Sequence, residues 1–244
     1  MASDIVIREN IPEYMKQLKA WLMEIRKEPL EEMADFFRAR VDGYEEHMGL
    51  WEKAYERLAE LIPASAKTLL DLGCGTGLEL DAIFARRQDL AATGIDLCPD
   101  MLEKLREKHP AVKTLCGDYF QEELGSGCFD CAVSFESLHH FSPEKKRGLY
   151  EKIHRALKPG GVFFLVDYLA CCEEEERLLM EFCREKRREA GISEDVFVHF
   201  DTPLTVEHEM QLLSGFSKVE FLACIEGASF LRCEKGSHSC NDVI

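Results

Sequence analysis

The pattern of hydrophobic and polar positions changes near Pro63. Before that point, apolar residues recur about every 3.6 positions, which is typical of amphipathic helices. The helical stretches are residues 11–27, 30–41 and 50–61. After Pro63, short apolar runs alternate with amphipathic segments. We therefore predict a helical N-terminal segment over 1–62, ahead of a core over 63–235.

The alternation after Pro63 predicts strands and helices in turn. The predicted strands are 68–71, 91–95, 112–115, 129–134 and 162–168, and the helices between them are 78–87, 99–108 and 143–157. This order is typical of a parallel sheet covered by helices. A helical insertion over about 171–204 and a helix over 205–214 follow, and then two strands, 218–225 and 229–234, predict a hairpin. The tail, 236–244, is predicted to be loose.

Composition narrows the classes of partner. The 244 residues include 46 Asp and Glu against 30 Lys and Arg, a formal net charge of −16 that disfavours DNA. The longest wholly apolar run, 162–166, is far shorter than the ~20 residues that a membrane span needs. The start, Met1-Ala-Ser-Asp, has no basic and apolar stretch typical of a signal peptide. We expect a cytoplasmic protein with no membrane partner.

The eleven cysteines do not predict a metal site. One Cys-x-x-Cys pair, Cys128 and Cys131, begins a predicted strand, and no second pair or spaced His pair completes a set of four ligands. Strand alternation turns the two thiols away from a common point. We expect free, mostly structural thiols and no bound metal. The acidic run 173–176 is interpreted as the solvated start of a helix.

The strongest chemical signal is a glycine loop that joins the first core strand to a helix. Glycines at 73, 75 and 77 leave helix N-terminal N–H groups open to a ligand. A dinucleotide fingerprint needs a small residue at position 78, where Leu78 stands. The loop also lacks the Gly-Lys-Ser/Thr of a P-loop. The pattern therefore disfavours nicotinamide dinucleotides and nucleoside triphosphates.

Two carboxylates follow the next two strands. Asp96 stands 19 residues after Gly77, where an acid can accept both hydroxyls of a ribose. Leu97 and Met101 would offer an apolar wall to a purine, and Asp118 could accept from an exocyclic adenine amine. The carboxyl ends of parallel strands meet at the edge where doubly wound sheets bind ligands. The sequence predicts a nucleoside site at this edge.

These motifs resemble those of the class I S-adenosylmethionine-dependent methyltransferases, within the group similar to quinone-biosynthesis methyltransferases. The matching segments are 70–77, 93–97, 117–119, 129–134 and 157–161, and the likeness extends over about 68–234. The resemblance implies an α/β, Rossmann-like, doubly wound sheet of seven strands with a C-terminal antiparallel hairpin. It also implies S-adenosylmethionine as cofactor and methyl transfer as the activity.

The resemblance assigns roles at the loop and the strand ends. It implies that Gly73 and Gly75 lie against the methionine moiety and that Asp71 holds its amino group. It places Asp96 on the ribose and Asp118 near the adenine. The full set of expected cofactor contacts is Arg40, Asp71, Gly73, Cys74, Gly75, Gly77, Asp96, Leu97, Met101, Gly117, Asp118, Tyr119, Phe135 and Glu136.

The catalytic candidates lie in two segments. The loop after the fourth core strand carries His139 and His140, either of which is a candidate base, although a structural role is the alternative. The segment 36–48 resembles lid helices of similar enzymes, in which Arg40 could pair with the methionine carboxylate and Tyr44 could close over the methyl group. The alternative is a surface ion pair for Arg40. In the insertion, His199 is a candidate pocket residue.

We expect in-line methyl transfer to a small-molecule acceptor, because alignment in a dry pocket supplies most of the acceleration when the leaving group is an activated sulfonium. One alternative is a methyltransferase that acts on a tRNA base or a protein side chain. Another is a regulator that binds S-adenosylmethionine without turning it over. The acceptor and its reacting atom are not encoded in these motifs, and a homodimer is compatible with them.

Overall fold

The computed structural model describes residues 10–237. Within them the helices are α1 (Ile11–Glu24), α2 (Met33–Arg40), α3 (Tyr44–Met48), α4 (Glu52–Leu61), α5 (Leu78–Arg86), α6 (Pro99–Lys108), α7 (Pro143–Ala156), α8 (Glu173–Ala190) and α9 (Val206–Leu212). The strands are β1 (Thr68–Leu72), β2 (Ala91–Asp96), β3 (Lys113–Cys116), β4 (Phe129–Phe135), β5 (Leu157–Asp167), β6 (Lys218–Ile225) and β7 (Ala228–Glu234). Most of the predicted loose tail lies outside the described residues. No described helix is both long and apolar enough to cross a membrane.

The seven strands form one sheet in the order β3-β2-β1-β4-β5-β7-β6. Strands β1 to β5 pair in parallel, and β7 runs antiparallel between β5 and β6. This arrangement confirms the predicted Rossmann-like doubly wound sheet with a C-terminal hairpin. The strand order reverses between β1 and β4, so a crevice opens there at the carboxyl ends of the strands.

Alternate residues of the strands build two cores, one on each face of the sheet. Leu69 and Val133 face a cluster that includes residues of α4, α5 and α6. Leu70 and Phe163 face the opposite cluster, which includes residues of α7. The period of two along the strands therefore buries both faces, as expected for a parallel sheet covered by helices.

The N-terminal helices lie against three different parts of the core. On α1, Tyr14 and Leu18 pack with Leu179 and Phe182 of α8. Helix α4 joins the main core through residues such as Leu58, which is fully buried. Helices α2 and α3 lie over the carboxyl ends of the strands, with Tyr44 beside Gly75. The predicted cover of the ligand edge is therefore made by these two short helices.

The predicted hairpin turn has a second role. Glu226 and Gly227 have φ of 52° and 87°, the left-handed conformations that a two-residue turn between twisted strands requires. The Glu226 carboxylate accepts a hydrogen bond of 3.0 Å from the Lys53 backbone N–H in the first turn of α4. Because the residue before α4 provides no side-chain cap, the hairpin caps this helix from a distance in sequence.

Strand β5 starts earlier than its apolar run predicts. The run begins at Val162, whereas Leu157 already pairs with Phe129 in the structure. A register shift between Phe129 and Cys131 accommodates the intervening Lys-Pro-Gly-Gly segment. The sequence pattern missed this extension because a Pro-Gly-Gly segment is more typical of a loop.

A buried ion pair joins α7 to α9 behind the crevice. Lys146 Nζ lies 2.7 Å from Glu209 Oε2, and both side chains are fully buried. The Tyr150 hydroxyl donates to the same carboxylate, and burial raises the pKa of this phenol. A buried pair of this kind is costly to break, because removing one partner leaves an uncompensated charge in a low-dielectric interior.

We expect Lys146→Met to lower the free energy of unfolding by about 3–5 kcal/mol, because Glu209 would keep a buried charge without its partner. The double variant Lys146→Met/Glu209→Leu should recover part of this loss. Urea unfolding followed by circular dichroism measures the free energies of unfolding of the single and the double variant. The matched control is Arg57→Ala, whose exposed pair with Glu60 should contribute less than about 0.5 kcal/mol. Equal losses in Lys146→Met and the control would contradict a structural role for the pair.

Candidate active site

A cavity opens at the carboxyl ends of the parallel strands and is covered by α2 and α3. The empty space between its lining atoms, open mouth included, is about 680 Å³. Its lining residues are Met33, Ala34, Phe37, Tyr44, Gly73, Gly75, Asp96, Leu97, Cys98, Met101, Gly117, Asp118, Tyr119, Phe135, Glu136, Ser137, His140, Phe141 and Phe197. The structure therefore brings most of the predicted cofactor residues to one wall.

Two glycines of the loop between β1 and α5 are required for different reasons. Gly73, with φ of +75°, lines the cavity, and a Cβ there would overlap the Ser137 hydroxyl. Gly77, with φ of +81°, does not line the cavity, and a Cβ there would overlap the Leu105 side chain of α6. Gly73 thus permits close approach to the cavity, whereas Gly77, predicted as a cofactor contact, serves packing between helices.

The carboxylate of Asp96 fastens the glycine loop to the end of β2. Its two oxygens accept from the backbone N–H groups of Gly75 (2.9 Å) and Cys98 (2.8 Å). Burial nevertheless raises the pKa of Asp96. Since a carboxylate has about four lone-pair sites, its oxygens can still accept from hydroxyl groups in the cavity. Asp118 also lines the cavity and accepts from the Phe120 backbone N–H at 2.8 Å.

Beneath the loop, Asp71 and Glu79 form a pair of buried acids. Asp71 is fully buried, and neither of its oxygens accepts a hydrogen bond from a conventional donor among the described residues. Burial raises the pKa of Asp71 to about 8, and burial together with the Asp71 charge also raises the pKa of Glu79. The two carboxyls therefore share a proton near neutral pH. Cys74, a predicted cofactor contact, is also buried. It lines a smaller recess together with Glu79.

The cover places Tyr44 over the glycine loop. Its hydroxyl lies 3.5 Å from the point where a Cβ of Gly75 would stand, and its ring meets Phe37 edge-to-face. Burial, with the charges of Glu79 and Asp96, raises the pKa of the Tyr44 phenol, so it remains neutral.

Arg40 does not reach the cavity. Its guanidinium forms hydrogen bonds of 3.0 and 3.1 Å to Glu31 and lies 3.7 Å from the centroid of the Phe36 ring. The expected contact with a ligand carboxylate is therefore wrong in this structure, and the surface ion pair is what forms. The physical reason is local: Glu31 offers two oxygens to the guanidinium fork within the same segment.

The cover is attached to α6 mainly by exposed polar contacts. Arg38 lies 3.3 Å from Asp100, and Lys104 donates to the Val41 carbonyl at 3.0 Å. Exposed ion pairs contribute little to stability and weaken with salt. Other contacts of the cover are buried: Met33 of α2 packs in the core, and its backbone N–H donates to the Phe197 carbonyl at 2.9 Å.

A cluster of histidines and carboxylates, called the histidine wall below, adjoins the cavity, and His140 is its cavity-lining member. His139 Nδ1 lies 2.5 Å from Asp167, and its Nε2 lies 3.5 Å from Asp201. Burial alone would lower the pKa of His139, but the adjacent Asp167 and Asp201 raise it well above its ordinary value. Both ring nitrogens lie beside carboxylates, and His139 itself does not line the cavity.

His140 is the histidine that faces the cavity. Its side chain is 4% exposed, and Nδ1 lies 3.3 Å from Asp201 without the alignment of a hydrogen bond. Burial and the neighbouring His139 lower its pKa, so the imidazole is neutral. His199, the other candidate, stacks on Phe36 at 3.5 Å, and burial lowers its pKa to about 3. It supports α2 and lies 4.8 Å from the His140 ring.

Sequence reasoning missed two carboxylates of this wall. Asp167 ends β5, so the strand-end pattern that identified Asp96 could have identified it too. Asp201 has no such local signal, because it reaches the cluster from the insertion. Phe141 and Phe197, which pack at 5.2 Å between ring centroids, were also missed as aromatic lining residues.

Within the described residues, the lining carries acidic groups and no Lys or Arg side chain. Asp96, Asp118 and Glu136 would repel a phosphate, whereas they fit a ligand that carries positive charge and hydroxyl donors. The thiols of Cys128 and Cys131 are remote from this wall, one exposed and one buried. Cysteine takes no part in the clusters of candidate metal-ligating groups found in 10–237.

The sequence of this chain is similar to a known domain family and to known proteins. Residues 69–161 match the methyltransferase domain family. The carboxy-S-adenosyl-L-methionine synthase of Campylobacter lari is 25% identical over 218 residues, which cover 81% of this chain and 92% of that protein. The malonyl-[acyl-carrier protein] O-methyltransferase of Herminiimonas arsenicoxydans is 31% identical over 48% of this chain and 44% of its own length.

Solved structures share the fold. Human N-acetylserotonin methyltransferase in complex with S-adenosylmethionine superimposes with a TM-score of 0.61 at 20% identity, covering 84% of this chain and 59% of that one. An O-methyltransferase family protein from Burkholderia thailandensis gives a TM-score of 0.63 at 18% identity and covers 81% of this chain. The chain thus spans about three fifths of the length of these structures.

The acid pair predicts a pH dependence of stability. Because folding raises the pKa of Asp71 from 3.8 to about 8, the folded chain binds more protons than the unfolded chain between these values. The stabilisation of the folded chain that follows from these protons is complete below pH 3.8. It is lost as the pH rises through about 8. We expect Asp71→Asn to flatten the fall in the free energy of unfolding over that window, as measured by urea unfolding.

The matched control is Asp195→Asn, which changes an exposed carboxyl on the insertion. Its pH profile should follow that of the wild-type chain. Parallel profiles for the wild type and Asp71→Asn would show that Asp71 is ionised in the folded state and would contradict the shared proton.

Proposed function

We propose that this chain, whose residues 69–161 match the methyltransferase domain family, is a class I S-adenosylmethionine-dependent methyltransferase that methylates a small molecule held in the cavity beneath α2 and α3. The observation that carries the proposal is the lining of the cavity. It continues from the glycine loop and Asp96 into an aromatic wall formed by Phe37, Phe141 and Phe197, under one cover. In this proposal a nucleoside and a second small ligand lie side by side under the cover.

The cofactor half of the proposal rests on the glycine loop and the strand ends. Gly73 and Gly75 admit the methionine moiety, Asp96 accepts from the ribose hydroxyls, and Asp118 accepts from the adenine. Leu97 and Met101 supply apolar contacts to the purine, and the Asp71–Glu79 pair lies beneath the amino group. When bound, S-adenosylmethionine supplies a methyl group on a positively charged sulfur. The acidic lining suits that charge.

The acceptor half rests on the wall that contains His140. Since His139 does not line the cavity, His140 is the histidine that contacts the acceptor. Tyr44 closes the cavity above the glycine loop and excludes water. Aligning nucleophile, methyl carbon and sulfur in such a space supplies acceleration without a strong base. The acceptor atom forms the bond to the methyl carbon, and the carbon–sulfur bond breaks with its electron pair on sulfur.

The lining also distinguishes the proposal from its alternatives. A nucleic acid or an acidic peptide needs Lys or Arg near the reacting atom, and none lines the described cavity. One relative makes a carboxylated form of S-adenosylmethionine, according to its name. A carboxylate donor would also need a basic partner, so the same observation favours methyl transfer to a neutral or hydroxylated small molecule.

We expect labelled methyl groups from S-adenosylmethionine to enter the small-molecule fraction when the full chain is incubated with a metabolite extract, total tRNA and soluble protein together. The enclosed, acidic cavity is the physical reason. Label in the tRNA or protein fraction would favour the macromolecular alternative. Binding of cofactor without any transfer would favour the non-catalytic binder.

The cofactor half of the proposal is tested by calorimetry on the variant Asp96→Ala and its matched control Asp89→Ala. Asp96→Ala should weaken S-adenosylhomocysteine binding by about 1–3 kcal/mol in calorimetry, because it removes the acceptor of the ribose hydroxyls and the tie to Gly75. Asp89 precedes the opposite end of β2 and is exposed, so its variant should bind normally. Equal affinities would refute the nucleoside assignment.

We also expect cofactor binding to order the cover. Because α2 and α3 are attached to α6 mainly by exposed contacts, their amides should exchange readily without ligand and gain protection with S-adenosylhomocysteine. Hydrogen exchange read by mass spectrometry measures this over 33–48, and α8 provides an internal reference that should not change. Unchanged exchange over 33–48 would mean that these helices serve only packing.

A further inference from the structure

Three side chains of the histidine wall direct ligand atoms at one point. His139 Nε2 lies 3.5 Å from Asp201 Oδ1, and His140 Nδ1 lies 3.3 Å from the same oxygen. All three ligand atoms lie within 4.8 Å of one another. Nitrogen and oxygen bonds to a transition metal are about 2.0–2.2 Å long, which puts adjacent ligand atoms roughly 3.0–3.5 Å apart. The observed spacing fits such a set.

A buried carboxylate orients the first of these ligands. Asp167 is fully buried and lies 2.5 Å from His139 Nδ1, so Nε2 is turned toward His140 and Asp201. Backbone N–H groups of Leu138 and Tyr168 donate to Asp167 at 3.1 and 3.0 Å and hold it in place. A carboxylate behind a histidine in this way is the usual support of a metal-ligating imidazole.

The His140 nitrogen of this set is poorly satisfied. His140 Nδ1 is buried and forms no well-aligned hydrogen bond with a described residue, and Asp201 Oδ1 lies 3.3 Å from it. A buried polar atom without a partner is costly, so a missing ligand at this point is a physical explanation. The same side chain lines the cavity, which places that point next to the acceptor side.

We propose that His139, His140 and Asp201 bind a first-row transition-metal dication at the acceptor side of the cavity. Two imidazoles and one carboxylate suit zinc, iron or manganese, whereas magnesium and calcium prefer oxygen ligands. Three protein ligands leave coordination positions open for a further ligand. His140 is the member of the set that lines the cavity.

The site also narrows the acceptor, and this part rests on the proposed function. An open position would hold a hydroxyl or thiol of the acceptor and lower its pKa. The proton passes to solvent water, the oxygen or sulfur forms the bond to the methyl carbon, and the carbon–sulfur bond of the cofactor breaks with its electron pair on sulfur. The acceptor class is thus an alcohol, phenol or thiol.

Cobalt(II) titration of the chelator-treated full chain tests the proposal. We expect equimolar binding with visible d–d bands and no thiolate-to-cobalt charge-transfer band, because the ligands are nitrogen and oxygen. His140→Gln and Asp201→Asn should each weaken this binding at least about tenfold, since each removes one ligand. The control is His154→Gln, a histidine near the far end of α7, which should bind cobalt as the wild type does.

Calorimetry with S-adenosylhomocysteine on the same variants separates this inference from the proposed function. Normal cofactor affinity in His140→Gln and Asp201→Asn shows that they are folded, so their loss of cobalt supports the site. A wild-type chain without d–d bands, a thiolate band, or equal cobalt affinity in all variants would overturn the proposal. Failure of the wild type to bind S-adenosylhomocysteine would instead contradict the proposed function, whatever the cobalt result.

Discussion

The structure depends most on the negative charge that collects at one edge of the sheet. Parallel strands present their carboxyl ends together, and Asp71, Asp96, Glu136 and Asp167 stand at or just after those ends. Buried carboxylates must share protons, pair with cations or accept hydrogen bonds, because an isolated buried charge is prohibitively costly. Here Asp71 shares a proton with Glu79, Asp167 pairs with His139, and Asp96 accepts from the backbone. The acidic lining that remains favours a positively charged ligand.

The surroundings of this edge differ in rigidity. Behind it, α7 and α9 are joined by the fully buried pair of Lys146 and Glu209. Above it, α2 and α3 are attached to α6 mainly by contacts that water reaches, such as Arg38 with Asp100. Regions with few buried contacts open at low free-energy cost, whereas buried networks open only with the core. A rigid base under a cover of two short helices suits an enzyme that must admit two ligands and then exclude water.

The two halves of the cavity have different origins in the chain. The match to the methyltransferase domain, 69–161, contains the glycine loop, Asp96 and Asp118. The acceptor side is completed by residues outside that match, which include Phe37 of the cover and Phe197 and Asp201 of the insertion. Segments that cover a conserved type of core are where related enzymes can differ in substrate, because loops tolerate change that strands do not. The match to the methyltransferase domain therefore informs the cofactor far more than the acceptor.

The sequence by itself determined the sheet, the glycine loop and the carboxylates at the strand ends, because these features follow from short-range periodicity and spacing. Strand β5 was placed too late only because its pairing with Phe129 needs a register shift that no local pattern shows. Tertiary structure alone decided the partners of long or distant side chains. Arg40 could pair with any carboxylate in reach, and Glu31 proved to be that carboxylate. Asp201 joins His139 from 62 residues away, and only the folded chain brings such groups within ligand distance.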